Sequence, residues 1–194
     1  MCGLQFVSRA GDDHRCGDCI AHPRPFLAAR ASGQYDGALM TAIHAYKYRG
    51  RIQLARPLGA LLHLEFVRHF TGSGIDALIP VPLHRAKLRQ RGFNQVLLML
   101  DQWRKIDPGF KVPIEPGLLV RTRKTEAQTG LGKKERRENI RNAFSVRDPS
   151  RVKGRSVLLV DDVYTTGATL EECAGTLVRA GAEAVYILTL ARAM

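Results

Sequence analysis

Asp161 and Asp162 stand at the end of a short branched apolar run, Val157, Leu158, Leu159 and Val160, and are followed by Thr165, Thr166 and Thr169 around Gly167. Such a run has the length of a buried parallel strand, and beyond Gly167 the apolar residues Leu170, Cys173, Ala174 and Leu177 recur at helical spacing. The order is strand, loop, helix. The first backbone N–H groups of a helix have no partner within it, and together with the helix dipole they attract an anion, the dipole contributing about 0.3–1 kcal/mol at an exposed site. The threonine hydroxyls add donors to the same cradle. Asp161 and Asp162 would repel a phosphate, so their natural targets are neutral hydroxyls or a metal ion lying beside it. A ribose phosphate offers both.

A plain helix cap would account for one Asp or Thr, but not for the second carboxylate, the three threonines and the glycine together. The segment also differs from a Walker loop, which needs a lysine after its second glycine, and from the three-glycine dinucleotide fingerprint. At these residues the chain resembles the type I phosphoribosyltransferases, whose signature for 5-phosphoribosyl 1-pyrophosphate (PRPP) is an acidic pair, small turn residues and Thr-Thr-Gly-x-Thr. Within that superfamily it is similar to the ComF/GntX family of competence-associated phosphoribosyltransferase-like proteins. Three segments carry the closer resemblance: Tyr46 to Gly50 (YKYRG); Ile79 to His84 running on to Arg91, Gly92, Phe93, Asn94 and Gln95; and Arg121 to Phe144, with Thr125, Gln128, Arg137 and Asn139.

The resemblance implies an α/β fold, a mostly parallel sheet flanked by helices, with a short zinc-ribbon-like segment at the N-terminus. It implies that Asp161 and Asp162 are the catalytic acids that face the ribose hydroxyls and the shell of a Mg2+ ion, and that Thr165, Thr166, Gly167, Ala168 and Thr169 cradle the 5-phosphate. Pro82, Leu83 and His84 occupy the pyrophosphate-loop position, with Arg85 and Lys87 as the nearest cations. A lid would carry Arg123, Lys124, Thr125, Gln128, Lys133 and Arg137. His84 suits either an acid–base role or an ordinary loop hydrogen bond, and the prolines flanking Val81 admit a cis bond without fixing one.

The elements that must position these groups follow from periodicity. After the stiff break at Pro23, Arg24, Pro25 and Phe26, residues Tyr35, Leu39, Ala42, Ile43 and Tyr46 recur at helical spacing, and a second helix starts near Pro57 and ends by Gly72. Ala77 to Ile79 reads as a core strand stopped by prolines, with a helix from Phe93 to Trp103. Further strands are expected near Leu118 to Arg121, Phe144 to Val146, Val157 to Val160 and Ala184 to Leu190. The polar stretch from Arg123 to Asn142 has almost no large apolar residue and is expected to be mobile without ligand. Strands alternating with helices place ligands at the carboxyl ends of the strands. The division is residues 1–30 for the cysteine segment and linker, and 31–194 for the phosphoribosyltransferase-like domain.

Cys16 and Cys19 have the two-residue gap of a zinc knuckle, and Cys2 looks like the end of another. Three ligands for Zn2+ are visible. Relatives of this type carry two pairs, so either the frame begins upstream of Met1, or His14 serves as fourth ligand, or the site has decayed; a disulfide is the competing account, disfavoured in a reducing compartment. The chain of 194 residues has 45% apolar content and a formal net charge of +12, which favours phosphate-rich ligands or polyanions. No apolar run is long enough to span a bilayer and no signal peptide is evident, so no membrane association and a cytoplasmic location are expected. An oligomer is compatible with this pattern, which does not specify one.

Two functions follow. One is an enzyme that binds PRPP and transfers phosphoribosyl, with release of pyrophosphate, to an unidentified acceptor. The other is a non-catalytic competence or DNA-uptake protein that binds single-stranded DNA or a DNA-transport partner. For the second, the basic runs from Arg85 to Arg91 and from Lys133 to Arg137 would track phosphates, with Phe93, Tyr48 and Trp103 as the neighbouring aromatics.

Overall fold

The structure, a computed structural model, describes residues 2–3, 16–123, 125 and 132–193, without the side chains of residues 133, 134 and 136. Its centre is a four-stranded parallel sheet in the order β1 (Ala28–Gln34), β6 (Ala184–Arg192), β5 (Ser156–Tyr164) and β2 (Ala77–Pro80). The strands β2 and β5 are nearly continuous apolar runs because both faces of the sheet are covered. Side chains alternate between those faces. Val157 and Leu159 join the buried cluster that holds Leu170, Cys173 and Leu177, whereas Leu158 and Val160 join that of Leu62, Met99 and Trp103.

On the second face lie α2 (Gly37–Tyr48), α3 (Ala55–Phe70), α5 (Gln95–Leu100) and α6 (Trp103–Ile106), preceded in the chain by the short α1 (Gly17–Ala21) and with α4 (Arg85–Arg91) between the second and third of these. Gly59 of α3 lets this helix approach α5, since a Cβ there would lie 2.6 Å from the Met99 carbonyl oxygen. The first face is covered by α8 (Ala168–Arg179), on which α7 (Lys133–Ile140) packs. Two strands stand apart from the central sheet: β3 (Leu119–Arg121) and β4 (Phe144–Val146) form an antiparallel pair.

The parallel sheet between two helical layers matches the expected fold. Four details differ from the sequence expectation. The strand β1 straddles position 30 and pairs with β6, although its Ala- and Gly-containing sequence has little strand propensity; it is held as an edge by backbone bonds. The strand β5 continues through Asp161 and Asp162 to Tyr164, because β6 keeps pairing there, Asp161 opposite Thr189 and Tyr164 opposite Arg192. The helix expected from Phe93 to Trp103 is broken into α5 and α6. The polar stretch before β4 contains α7, docked through the fully buried Ile140. No helix among the described residues is long and apolar enough to cross a membrane.

Candidate functional site

The site gathers at the carboxyl ends of β2 and β5, adjacent strands paired as far as Pro80 and Val160. Because neighbouring residues of a strand point to opposite faces, the two acids are separated by the sheet. Asp162, 5% exposed, is closed in by protein: Lys47 Nζ of α2 lies 2.7 Å from Oδ1, and Gln95 Nε2 of α5 donates to Oδ2 at 2.6 Å. Burial works against the Lys47 ammonium, but the Asp162 charge and hydrogen bond outweigh it and raise its pKa. Arg91 in turn donates to Gln95 Oε1, and the buried Tyr46 hydroxyl donates to the Gln95 carbonyl at 2.9 Å. Sequence reasoning singled out these segments without giving Lys47 or Gln95 a role. The available signal was an unpaired lysine at the end of an apolar helix stripe.

Asp161 is half-buried on the other face, with Arg121 within electrostatic reach. One oxygen accepts the Asp162 backbone N–H at 2.8 Å, and among the described residues the other has no protein donor. Burial, then the neighbouring Asp162 charge, push the Asp161 carboxyl up to about 7. Arg121 lies over the Phe144 ring, 5.5 Å from its centre, and donates to Thr125 Oγ1. Cys173 is fully buried beneath them and its thiol is raised well above its usual range by desolvation, so it is part of the core.

The loop between β5 and α8 turns at Gly167, whose φ of 82° is left-handed and whose Cβ, were there one, would sit 2.5 Å from the Tyr164 hydroxyl oxygen. Only glycine fits. Thr165 is exposed, Thr166 and Thr169 are half-buried and Ala168 is buried at the start of the twelve-residue helix. The Thr166 hydroxyl oxygen is itself buried and has no hydrogen-bond partner among the described residues, a costly arrangement for a group that could donate to an anion.

After β2 the chain passes through Pro82 and Leu83, both half-buried, with every described peptide bond trans. His84 caps α4, its Nδ1 accepting from the Ala86 N–H at 3.2 Å, and Arg85 and Lys87 are exposed. Asn94 fastens this loop: its side chain donates to the Val81 carbonyl at 3.1 Å and accepts from Val96 N at 2.9 Å as the cap of α5. Of the expected lid residues, Arg123 donates to the carbonyls of Asn139 at 2.7 Å and Arg141 at 2.8 Å, and Arg137 reaches Glu171 of α8 at 3.1 Å. Lys124, Gln128 and the side chain of Lys133 lie outside the described residues, as does His14.

Cys2, Cys16 and Cys19 are buried, with all three Sγ atoms within 4.8 Å of one another and those of Cys2 and Cys16 3.5 Å apart. None of the three is in a disulfide. Tetrahedral Zn2+ with Zn–S near 2.3 Å requires sulfurs about 3.8 Å apart, so with small adjustment these three sulfurs suit three of the four positions around such an ion. Burial raises the Cys19 thiol, but hydrogen bonds involving Cys2, Cys16 and Arg24 outweigh it and bring its pKa below the usual value, which suits a thiolate ligand.

A strand end with a carboxylate pair, a glycine-turned hydroxyl loop and a helix start, on a parallel sheet, defines a phosphoribosyltransferase-type domain, and the family model described as "Phosphoribosyl transferase domain" matches residues 110–194. The chain is 36% identical over 185 residues to the DNA utilization protein YhgH of Escherichia coli O157:H7, covering 92% of this chain and 78% of that one. It is 33% identical over 182 residues to competence protein F of Haemophilus influenzae, with the same shares covered, and 28% identical over 161 residues to competence protein ComFC of Bacillus subtilis, covering 81% and 61%. The chain belongs to the ComF family of the phosphoribosyltransferase superfamily.

Proposed function

We propose that this protein binds PRPP together with Mg2+ and transfers its phosphoribosyl group, with release of pyrophosphate, to an acceptor. The observation that carries this reading is the unpartnered, buried Thr166 hydroxyl in a glycine-turned loop at the start of α8, one strand end away from an acid with a free oxygen. In this reading Thr165 to Thr169 hold the 5-phosphate, and Asp161 accepts the ribose hydroxyls. Asp162 gives that strand end its shape while Lys47 neutralises it. Pro82, Leu83 and His84, with Arg85 and Lys87, receive the pyrophosphate, and Arg123 and Arg137 belong to the covering segment. A hard-oxygen donor set of one carboxylate and substrate hydroxyls suits Mg2+, which would be held beside Asp161 and neutralise charge on the diphosphate. Departure of pyrophosphate leaves positive charge on the sugar ring, which the Asp161 carboxylate stabilises, while the loop holds C1 in line for the acceptor.

The decisive experiment is calorimetry with PRPP and Mg2+, followed by pyrophosphate release against a panel of bases. Affinity in the micromolar range is expected, as for ordinary substrates, with Thr166→Val weakening it about tenfold; a titration without heat would end the proposal.

A second reading, binding of single-stranded DNA, is favoured by one feature. The helix α4 carries the basic residues Arg85, Lys87, Arg89 and Arg91, and beside it Tyr48 is 64% exposed with the Arg91 guanidinium 5.4 Å from its ring centre. Of the other two aromatics expected there, Trp103 is fully buried and Phe93 packs on Tyr46, which leaves Tyr48 as the stacking ring. For an oligothymidine, affinity should fall with salt at a log–log slope of about 0.7 per phosphate contacted. Tyr48→Ala should cost roughly tenfold, in line with about 1–3 kcal/mol per stacked base, and Tyr48→Phe nearly nothing. Equal losses in both variants would exclude stacking.

A further inference from the structure

The cysteine cluster is tied to the phosphate loop from two sides. On one side, the Arg192 guanidinium at the end of β6 donates to the Cys2 carbonyl and lies 4.2 Å over the centre of the Tyr164 ring. That ring is packed under Gly167, so tightly that a Cβ there would meet it at 2.5–2.9 Å. On the other side, Arg24, its side chain only 8% exposed, donates both to Asp18, which lies between Cys16 and Cys19, and to Glu171 in the first turn of α8. Glu171 is the residue that Arg137 of α7 reaches. The segment is seated on the sheet as well, because Gly3 approaches β1 closely enough that a Cβ would lie 2.5 Å from the Ala29 carbonyl oxygen. Cys2, Cys16 and Cys19 share one buried cluster with Phe26, Tyr164, Ala168 and Leu170.

We infer that metal loading at Cys2, Cys16 and Cys19 sets the shape of the loop Thr165 to Thr169, with Arg192 and Arg24 as positioning residues that carry the state of the thiolate site to the phosphate cradle. The physical argument is one of rigidity. A bound Zn2+ would tie together three chain positions that otherwise are joined by packing and hydrogen bonds. The Cys2 carbonyl then holds Arg192 over Tyr164, and Tyr164 defines the floor on which the left-handed Gly167 turns. On the second side, the segment between Cys16 and Cys19 holds Arg24, which orients the first turn of α8, where the amides that receive a phosphate begin. Coupling between sites is reciprocal: whatever factor zinc gives to anion binding, the anion gives back to zinc.

This inference takes its ligand, PRPP, from the function proposed above, so two readouts are used. In the first, PRPP and Mg2+ are titrated into the full chain with zinc loaded, and again after a zinc-selective chelator, zinc content being measured in both. A loss of about tenfold on zinc removal is expected, within the usual range of coupling between sites. In Arg192→Gln, zinc removal should change PRPP affinity less than twofold, because the connection is already cut, and Arg192→Lys should recover part of the dependence. Should Arg192→Gln fail to fold, Arg24→Gln is measured in its place, with a reduced zinc dependence expected. The second readout is hydrogen exchange of the amides from 165 to 169 without PRPP, which should be slower in the zinc-loaded protein. Zinc dependence equal in the wild type and both variants, absence of bound zinc at the cysteines, or identical exchange in both states overturns the inference. Slower exchange with zinc but no PRPP binding in any form would support the coupling and remove only the phosphoribosyl reading.

Discussion

Lys47→Met is expected to lower the free energy of unfolding by about 3–5 kcal/mol, a large share of the roughly 5–15 kcal/mol available to a domain of this kind. The cause is not the loss of an attraction alone. Lys47 Nζ is the cation that faces Asp162, whose side chain is 7% exposed, and methionine fills the same channel while leaving the carboxylate buried with only Gln95 as donor. If this is the mechanism, the second substitution Asp162→Asn on the Lys47→Met background should return at least half of the lost stability, since no charge is then buried. Urea unfolding of the four members of the cycle measures this directly. A single-variant cost below 1 kcal/mol, or a double variant as unstable as the single, would show that water reaches Asp162 and that the pair does not organise the strand end. Removing Gln95 by Gln95→Ala tests the other half of the grip, and should cost less because it carries no charge.

That pair also marks the boundary of what the sequence made legible. Strand, loop and helix around Asp161 to Thr169 could be read directly, because each signal is local: a branched apolar run, a glycine, then a helical stripe. The clustering of Cys2, Cys16 and Cys19 was likewise readable from spacing. The contacts of Asp162 were not. Lys47 and Gln95 are distant from it along the chain, by 115 and 67 positions, and they meet it only because α2 and α5 pack on the same face of the sheet. A carboxylate pair reads as two equal ligands in sequence, whereas the pleat sends one to a lysine on one face and the other to the face that carries Arg121.

The motif from Arg91 to Gln95 shows the same limit residue by residue. Gly92 ends α4 in a left-handed conformation, Phe93 packs on Tyr46, Asn94 caps α5 and holds the Val81 carbonyl, and Gln95 reaches Asp162. The glycine and the cap are local and could have been assigned from residue type. The two long-range bonds require the fold. The edge strand β1 was missed for a different reason: Ala28, Ala29, Ala31, Ser32 and Gly33 have poor strand propensity, and backbone pairing to β6 overrides it.

Asp161 should make the protein less stable as the pH rises from about 4 to 7, and Asp161→Asn should remove that loss. The sign follows from the folded carboxyl titrating near 7, raised by burial and by Asp162, against about 3.9 for an unfolded aspartate. Below about 3.9 the group is neutral in both states and costs nothing. Between the two values the unfolded chain ionises first, so folding must take up a proton and is penalised progressively; above about 7 both states are charged and the penalty is constant. Across that interval 1.36 kcal/mol per pH unit gives on the order of 4 kcal/mol as an upper bound, and about 2 kcal/mol is expected because the carboxyl is only half-buried. The comparison is urea unfolding of wild type and Asp161→Asn at pH 5, 6, 7 and 8, without Mg2+ or PRPP. The advantage of the variant should be about a third of its full size at pH 5, grow to pH 7 and level off at pH 8. The same carboxyl must be ionised to receive ribose hydroxyls and Mg2+ in the proposed function, so binding of PRPP at pH 6 should release close to one more proton in the wild type than in the variant. That release is read by calorimetry in buffers of different ionisation enthalpy. A stability difference that is flat with pH would show an ordinary, exposed aspartate and would undo the division of labour between Asp161 and Asp162.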